Sequence, residues 1–157
     1  MYYCHMTPEK DKYLCEKYPK IFRDRNASMR QTAMCWGFEC GDGWFDLIDT
    51  LCSQIQYHID WKLEGQKVAI KRGEVALEDA ITEEQLQVVA SQVKEKFAGL
   101  RFYIYGGDEE IRGMIKMAES MSYKICEECG NAGKVRKCGW WRTLCEQCHI
   151  EREQKKV

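Results

Sequence analysis

Hydrophobic positions at helical spacing are clearest between residues 42 and 60, where Trp44, Ile48, Leu51, Cys52, Ile55 and Ile59 recur every three or four residues behind Asp42. The spacing predicts an amphipathic helix running to about residue 60, with Asp42 as its N-cap. Upstream, Thr7-Pro8-Glu9 combines a hydroxyl N-cap, a proline at the first helical position and an acid in the first turn. Tyr13, Leu14 and Tyr18 would share the inner face of that helix, and Pro19 would end it. Residues 20–41 keep no single period and read as irregular or short-stranded. Residues 62–81, which carry Gly65 and Gly73, read as a variable connection with room for a short hairpin.

Thr82-Glu83-Glu84-Gln85 has capping-box chemistry and opens a short helical turn. Beyond it Val89, Ser91, Val93, Glu95 and Phe97 alternate, as do Leu100, Phe102 and Ile104, which predicts a β-hairpin turning at Ala98-Gly99. Glu95 falls on the apolar side of that scheme and leaves the register open. Gly106-Gly107 breaks the second strand. Asp108-Glu109-Glu110 then opens a helix with Ile111, Met114, Ile115, Ala118 and Met121 on one face. The order of helices, hairpin, helix and cysteine-rich tail gives an α+β fold: a main domain over residues 1–122 and a finger module over residues 123–157.

Composition narrows the class. The 157 residues are 45% hydrophobic and 11% aromatic, enough for a packed core and against wholesale disorder. No apolar run reaches the ~18 residues of a membrane-spanning helix, and the opening residues lack a secretory layout, so the expectation is a soluble cytoplasmic protein. A net charge of −1 argues against a surface wholly devoted to nucleic acid. The charge is uneven, however. Residues 120–157 carry eight basic and five acidic side chains, a local +3.

Five of the ten cysteines lie between Cys126 and Cys148. Cys126-Glu127-Glu128-Cys129 and Cys145-Glu146-Gln147-Cys148 are two CxxC pairs, each a tight turn that aims two sulfurs at one ion. Reduced thiolates in this pattern predict one structural Zn²⁺ on Cys126, Cys129, Cys145 and Cys148, with Cys138 and His149 as spare donors. Between the pairs, Lys134–Lys137 and Trp140–Leu144 would form a hairpin about Cys138-Gly139. The second pair would open a helix to about Glu153, the order of a treble-clef or zinc-ribbon finger. Lys134, Arg136, Lys137, Trp140, Trp141 and Arg142 could hold phosphates and stack bases, or keep a small module soluble and pack it on the main domain.

Three further readings concern the main domain. The cations Arg23, Arg25, Arg30, Lys94, Lys96 and Arg101, with Trp36, Trp44, Tyr103 and Tyr105, could line a pocket for an anionic ligand such as a nucleotide. Lys94 and Lys96 would share one hairpin face. Glu39-Cys40-Gly41-Asp42-Gly43-Trp44 has glycines that permit a turn, or that place backbone N–H groups against an anion, and its cysteine makes a Cys40-dependent hydrolase the enzymatic alternative. Only His5, His58 and His149 could serve as base, and none lies in a known catalytic motif. Cys35 and Cys40, with Cys15 or Cys52, are candidates for a second metal site, although Cys52 on an apolar helix face reads as core.

The phrases "YPKIFRDR", "GFECGDGWFDLIDTLCSQI", "QVKEKFAGLRFYIYGG" and "CEECG…GWWRTLCEQC" resemble small accessory proteins of tailed bacteriophages and prophages, from about Tyr13 to Cys148 and apart from residues 62–81. The resemblance implies a bacterial host cytoplasm and carries no established activity. Together with the residues, it sets the expectation of a non-enzymatic, zinc-stabilised binding protein. Such a protein would act against host defence by sequestering an anionic ligand such as a nucleotide signal, with a homo-oligomer possible. The alternatives are a finger that binds short nucleic acid or a host protein, and the Cys40 hydrolase.

Overall fold

Five helices and two small sheets form an α+β fold in the computed structural model, which describes residues 4–155. Helix α1 is Pro8–Lys17, with Thr7 at its N-cap position and Leu14 buried. The Thr7 hydroxyl makes no cap; instead the Thr7 N–H donates to Asp42 Oδ1 at 2.8 Å. Asp42 therefore ties down the entrance of α1 and does not cap the helix that follows it in sequence. That helix, α2 (Phe45–Lys71), is entered through a 3₁₀ turn at Asp42–Trp44 and has no side-chain cap. Tyr18 is buried as expected, whereas Tyr13 is half exposed and lies against the Phe45 ring at 5.6 Å.

Helix α2 has 27 residues, a rod of about 40 Å. Ile48, Leu51, Cys52, Ile55, His58 and Ile59 are its buried positions, matching the predicted face. The helix nevertheless continues to Lys71, so the first part of the predicted 62–81 connection is helical arm and not hairpin. Nothing beyond Ile59 in α2 is buried. The chain returns through a 3₁₀ turn at Leu77–Asp79, and the Gln66 side-chain amide clasps Ile81 by accepting from its N–H and donating to its carbonyl, both at 2.7 Å.

The short helix α3 (Glu83–Leu86) has the predicted capping box at Thr82 and Gln85. A three-stranded sheet follows in the order β1-β2-β3, from Phe38–Glu39, Val89–Lys96 and Gly99–Tyr105. Strand β1 runs parallel to β2, and β2 pairs antiparallel with β3. The hairpin turns one residue earlier than expected, at Phe97 and Ala98, whose φ values of 51° and 68° are both positive. A bulge between Ala90 and Gln92 shifts the alternation. Val93, Leu100 and Phe102 are buried, while Lys94, Lys96, Arg101 and Tyr103 belong to the opposite face. Glu95 enters no apolar layer: its carboxylate accepts the Ala98 N–H at 2.9 Å.

Helix α4 (Glu109–Ser122) is capped by Asp108, whose Oδ1 accepts the Ile111 N–H at 3.0 Å. Ile111, Ile115 and Ala118 are buried, but Met121 is exposed. The helix lies on α2 and along β3, where its side chains satisfy the strand's free edge. Ser122 Oγ accepts the Leu100 N–H at 2.8 Å, and Glu119 Oε1 accepts the Phe102 N–H at 3.0 Å. The finger closes the chain with a two-stranded sheet, β4 (Lys134–Arg136) and β5 (Arg142–Leu144), and helix α5 (Glu146–Gln154).

Candidate metal centre and anion-binding face

Each CxxC turn brings its sulfurs together for a local reason. Gly130, at φ 81°, lets the chain double back after Cys129, and the Gly130 N–H donates to Cys126 O at 2.9 Å. Cys145 is the N-cap of α5, where its Sγ accepts the Cys148 N–H at 3.4 Å. That N–H draws the Cys145 thiol down to about 7. The donor atoms of Cys126, Cys129, Cys145 and Cys148 all lie within 4.8 Å of one another, so this cluster can hold a metal ion. Cys138 and His149 are not part of it.

The finger is built into the main domain at one seam. Gly41 and Gly43 run so close to the first CxxC turn that a Cβ on Gly41 would lie within van der Waals overlap of Glu127 O, and one on Gly43 would overlap Cys126 O. The Gly43 N–H donates to Glu127 O at 2.8 Å, the Gly41 N–H to Glu127 Oε1 at 3.1 Å, and the Trp44 indole to Ile125 O at 2.9 Å. These glycines serve a close approach of two backbones, and the N–H groups that suggested an anion site face Glu127. Glu127 has no exposed surface; its Oε2 receives Arg142 Nε at 3.0 Å. Arg142 also donates to Glu128 and, at 3.2 Å, to Cys4 Sγ.

Trp44 and Cys40 are both fully buried, and this corrects two expectations. The Trp44 ring is core and cannot face a ligand. Burial raises the Cys40 thiol above its ordinary value and leaves it no exposed surface on which a substrate could meet it. Cys35 and Cys40 enter no metal-like cluster among the described residues. Cys52 is buried in the core. A second donor group, His58, Asp108 and Glu110, is occupied by a protein cation: Lys62 Nζ lies 2.8 Å from Asp108 and 3.4 Å from Glu110.

The six predicted ligand-binding cations separate into two sets. Arg25 is spent on Asp11 at 3.0 Å and on the Cys35 carbonyl, and Arg23 lies 3.9 Å from Asp24. Arg30, Lys94, Lys96 and Arg101 have no salt-bridge partner among the described residues. Lys94 stands directly opposite Arg101 in the hairpin, and Gln92 opposite Tyr103. The Arg101 guanidinium donates to Leu100 O and to the Tyr123 hydroxyl, both neutral acceptors. Next to them lies a shallow open cleft of about 510 Å³, with Arg30, Thr32, Ser91, Gln92, Tyr103 and Tyr105 among its walls. Charge and ring character in the sequence point to Arg30, Tyr103 and Tyr105. Thr32, Ser91 and Gln92 went unnoticed, and only the bulge and the β1-β2 pairing bring them there.

Comparisons of the chain with known protein families, curated proteins and solved structures find no match. Among the described residues, no helix is long and apolar enough to cross a membrane.

Proposed function

We propose that this chain is a non-enzymatic binding protein that holds a nucleotide-like anion on the outer face of its hairpin, with a structural Zn²⁺ completing the fold. The observation that carries the reading is the Lys94–Arg101 pair. Like charges directly opposite across two strands destabilise a hairpin. Lys94 also stands beside Glu39 of β1 and Glu119 lies near Arg101, but neither cation is in a salt bridge among the described residues. An anion placed between them would relieve that repulsion. Arg30 at the cleft adds a third free cation, while Tyr103 and Tyr105, 42% and 62% exposed, offer rings to a base. Zinc fits the donor set: a tetrahedron of four Zn–S bonds has an S···S edge of about 3.8 Å, and Cys129 and Cys145 Sγ are 3.7 Å apart. Four thiolates leave no open position for a substrate, so the ion's role is structural. In an infected bacterial cell, the setting the sequence resemblance implies, such binding would withdraw a nucleotide signal from host defence.

Calorimetry against mono-, di- and cyclic nucleotides tests this. Arg101→Ala and Lys94→Ala should each weaken binding tenfold or more, because each removes a charge-assisted contact worth ~1.5–3 kcal/mol. Cys40→Ser should bind normally. No heat with any nucleotide, or loss confined to the Cys40 variant, refutes the reading. Elemental analysis of reduced protein should give one zinc per chain.

A further inference from the structure

A second surface lies where the hairpin tip meets the finger, and its rings are held out of the core at a cost. The two-residue turn has positive φ at both positions, a conformation that suits Asn-Gly and penalises bulky side chains. Ala98 has a packing reason to be there: it is fully buried, and its carbonyl accepts the Thr143 hydroxyl at 2.7 Å. Phe97 has none. At φ 51° it carries a large ring that is 66% exposed. Strain maintained at an exposed aromatic points to use of the ring.

Trp140 is fixed beside this turn. Its indole N–H donates to Glu95 Oε2 at 3.0 Å, while Glu95 Oε1 takes the Ala98 N–H, so one carboxylate fastens the finger loop to the hairpin tip. The Trp140 ring remains 70% exposed and Trp141 43%. Cations stand next to the rings: Lys137 Nζ is 4.8 Å from the centre of the Trp141 ring, and Lys96 Nζ is 5.7 Å from that of Phe97. The cores of protein–protein interfaces are rich in such rings but poor in lysine. Rings alternating with lysines suit a strand of phosphates and unpaired bases. The local +3 of residues 120–157 has the matching sign.

We infer that Phe97, Trp140 and Trp141, flanked by Lys96 and Lys137, form a stacking platform for single-stranded nucleic acid. It adjoins the sheet-face site proposed above at Lys96, which shares a face with Lys94 and Arg101, but its three rings are not residues of that site. Base stacking supplies the contact and the lysines neutralise phosphates, without sequence readout.

The test uses the full-length, metal-loaded protein and a fluorescein-labelled oligothymidylate of about twelve nucleotides, a length that spans typical single-strand sites. Trp140→Ala and Phe97→Gly should each weaken binding about tenfold in fluorescence anisotropy. Phe97→Gly relieves the turn, so its melting temperature should not fall; a loss of binding in that variant cannot be blamed on misfolding. Both variants should retain calorimetric nucleotide binding, if the wild type shows it. Three results overturn the inference: no oligonucleotide binding at low salt, unchanged affinity in both variants, or equal affinity for a duplex of the same length. If Arg101→Ala alone abolishes oligonucleotide binding, the strand lies on the sheet face and the platform is refuted while the sheet-face site stands.

Discussion

Glu127 is a carboxylate with no exposed surface, and burial raises its pKa while the neighbouring Arg142 guanidinium works against the rise. Arg142→Leu would leave that charge unpaired, and denaturant unfolding should show a loss of ~3–5 kcal/mol. Nothing in Cys126-Glu127-Glu128-Cys129 separates the two acids by pattern; only docking against Gly41 and Gly43 buries one and leaves the other exposed. Asp108 is a different case. Despite partial burial, Lys62, His58 and the Ile111 N–H hold its carboxyl well below the ordinary 3.8. A carboxylate depressed in the folded state contributes stability above its unfolded pKa, and this is lost as pH falls below about 4. Asp108→Asn should therefore lower the melting temperature at pH 7 and flatten its decline between pH 4 and pH 2.

At the level of elements, the α2 face from Ile48 to Ile59 was legible because it buries one continuous stripe. Ile55 has no exposed surface, and Ile55→Ala should cost ~2–5 kcal/mol in the same unfolding assay. The last twelve residues of the helix, Asp60 to Lys71, were not legible. None of them is fully buried and Leu63 packs only in part against the core, so no continuous apolar stripe marks them, and Gly65 reads as a breaker. A Cβ at Gly65 meets no atom within 4 Å. Gly65→Ala should stabilise the protein by up to ~1 kcal/mol, since the helix gains propensity without a clash. The hairpin was placed one residue late at its turn because Gly99 is the residue that invites positive φ, whereas Phe97 and Ala98 adopt it.

Across the whole molecule, the finger and the main domain share a seam. Trp44 reports on that seam, since its buried indole donates to Ile125 O one residue before Cys126, the first cysteine of the cluster. Treating zinc-loaded protein with a strong chelator should melt the finger and change the near-ultraviolet circular dichroism of Trp44, with recovery when zinc is added back. A Trp44→Phe variant should lose most of that change. Cys4 also belongs to the seam, because Arg142 donates to its sulfur at 3.2 Å, and burial pushes that thiol up to about 12.

The same seam sets an order of events during synthesis. The N–H groups of Gly41 and Gly43 and the Trp44 indole acquire their partners only from residues 125 and 127, more than eighty positions downstream. Translation at ~5–20 residues per second leaves the turn waiting several seconds for them. Throughout that interval the nascent chain exposes an aromatic core residue and three unpaired donors, which is the kind of surface chaperones hold. With zinc in the proposed site, metal capture is the final folding step, and cells starved of zinc should accumulate this protein in chaperone-bound form.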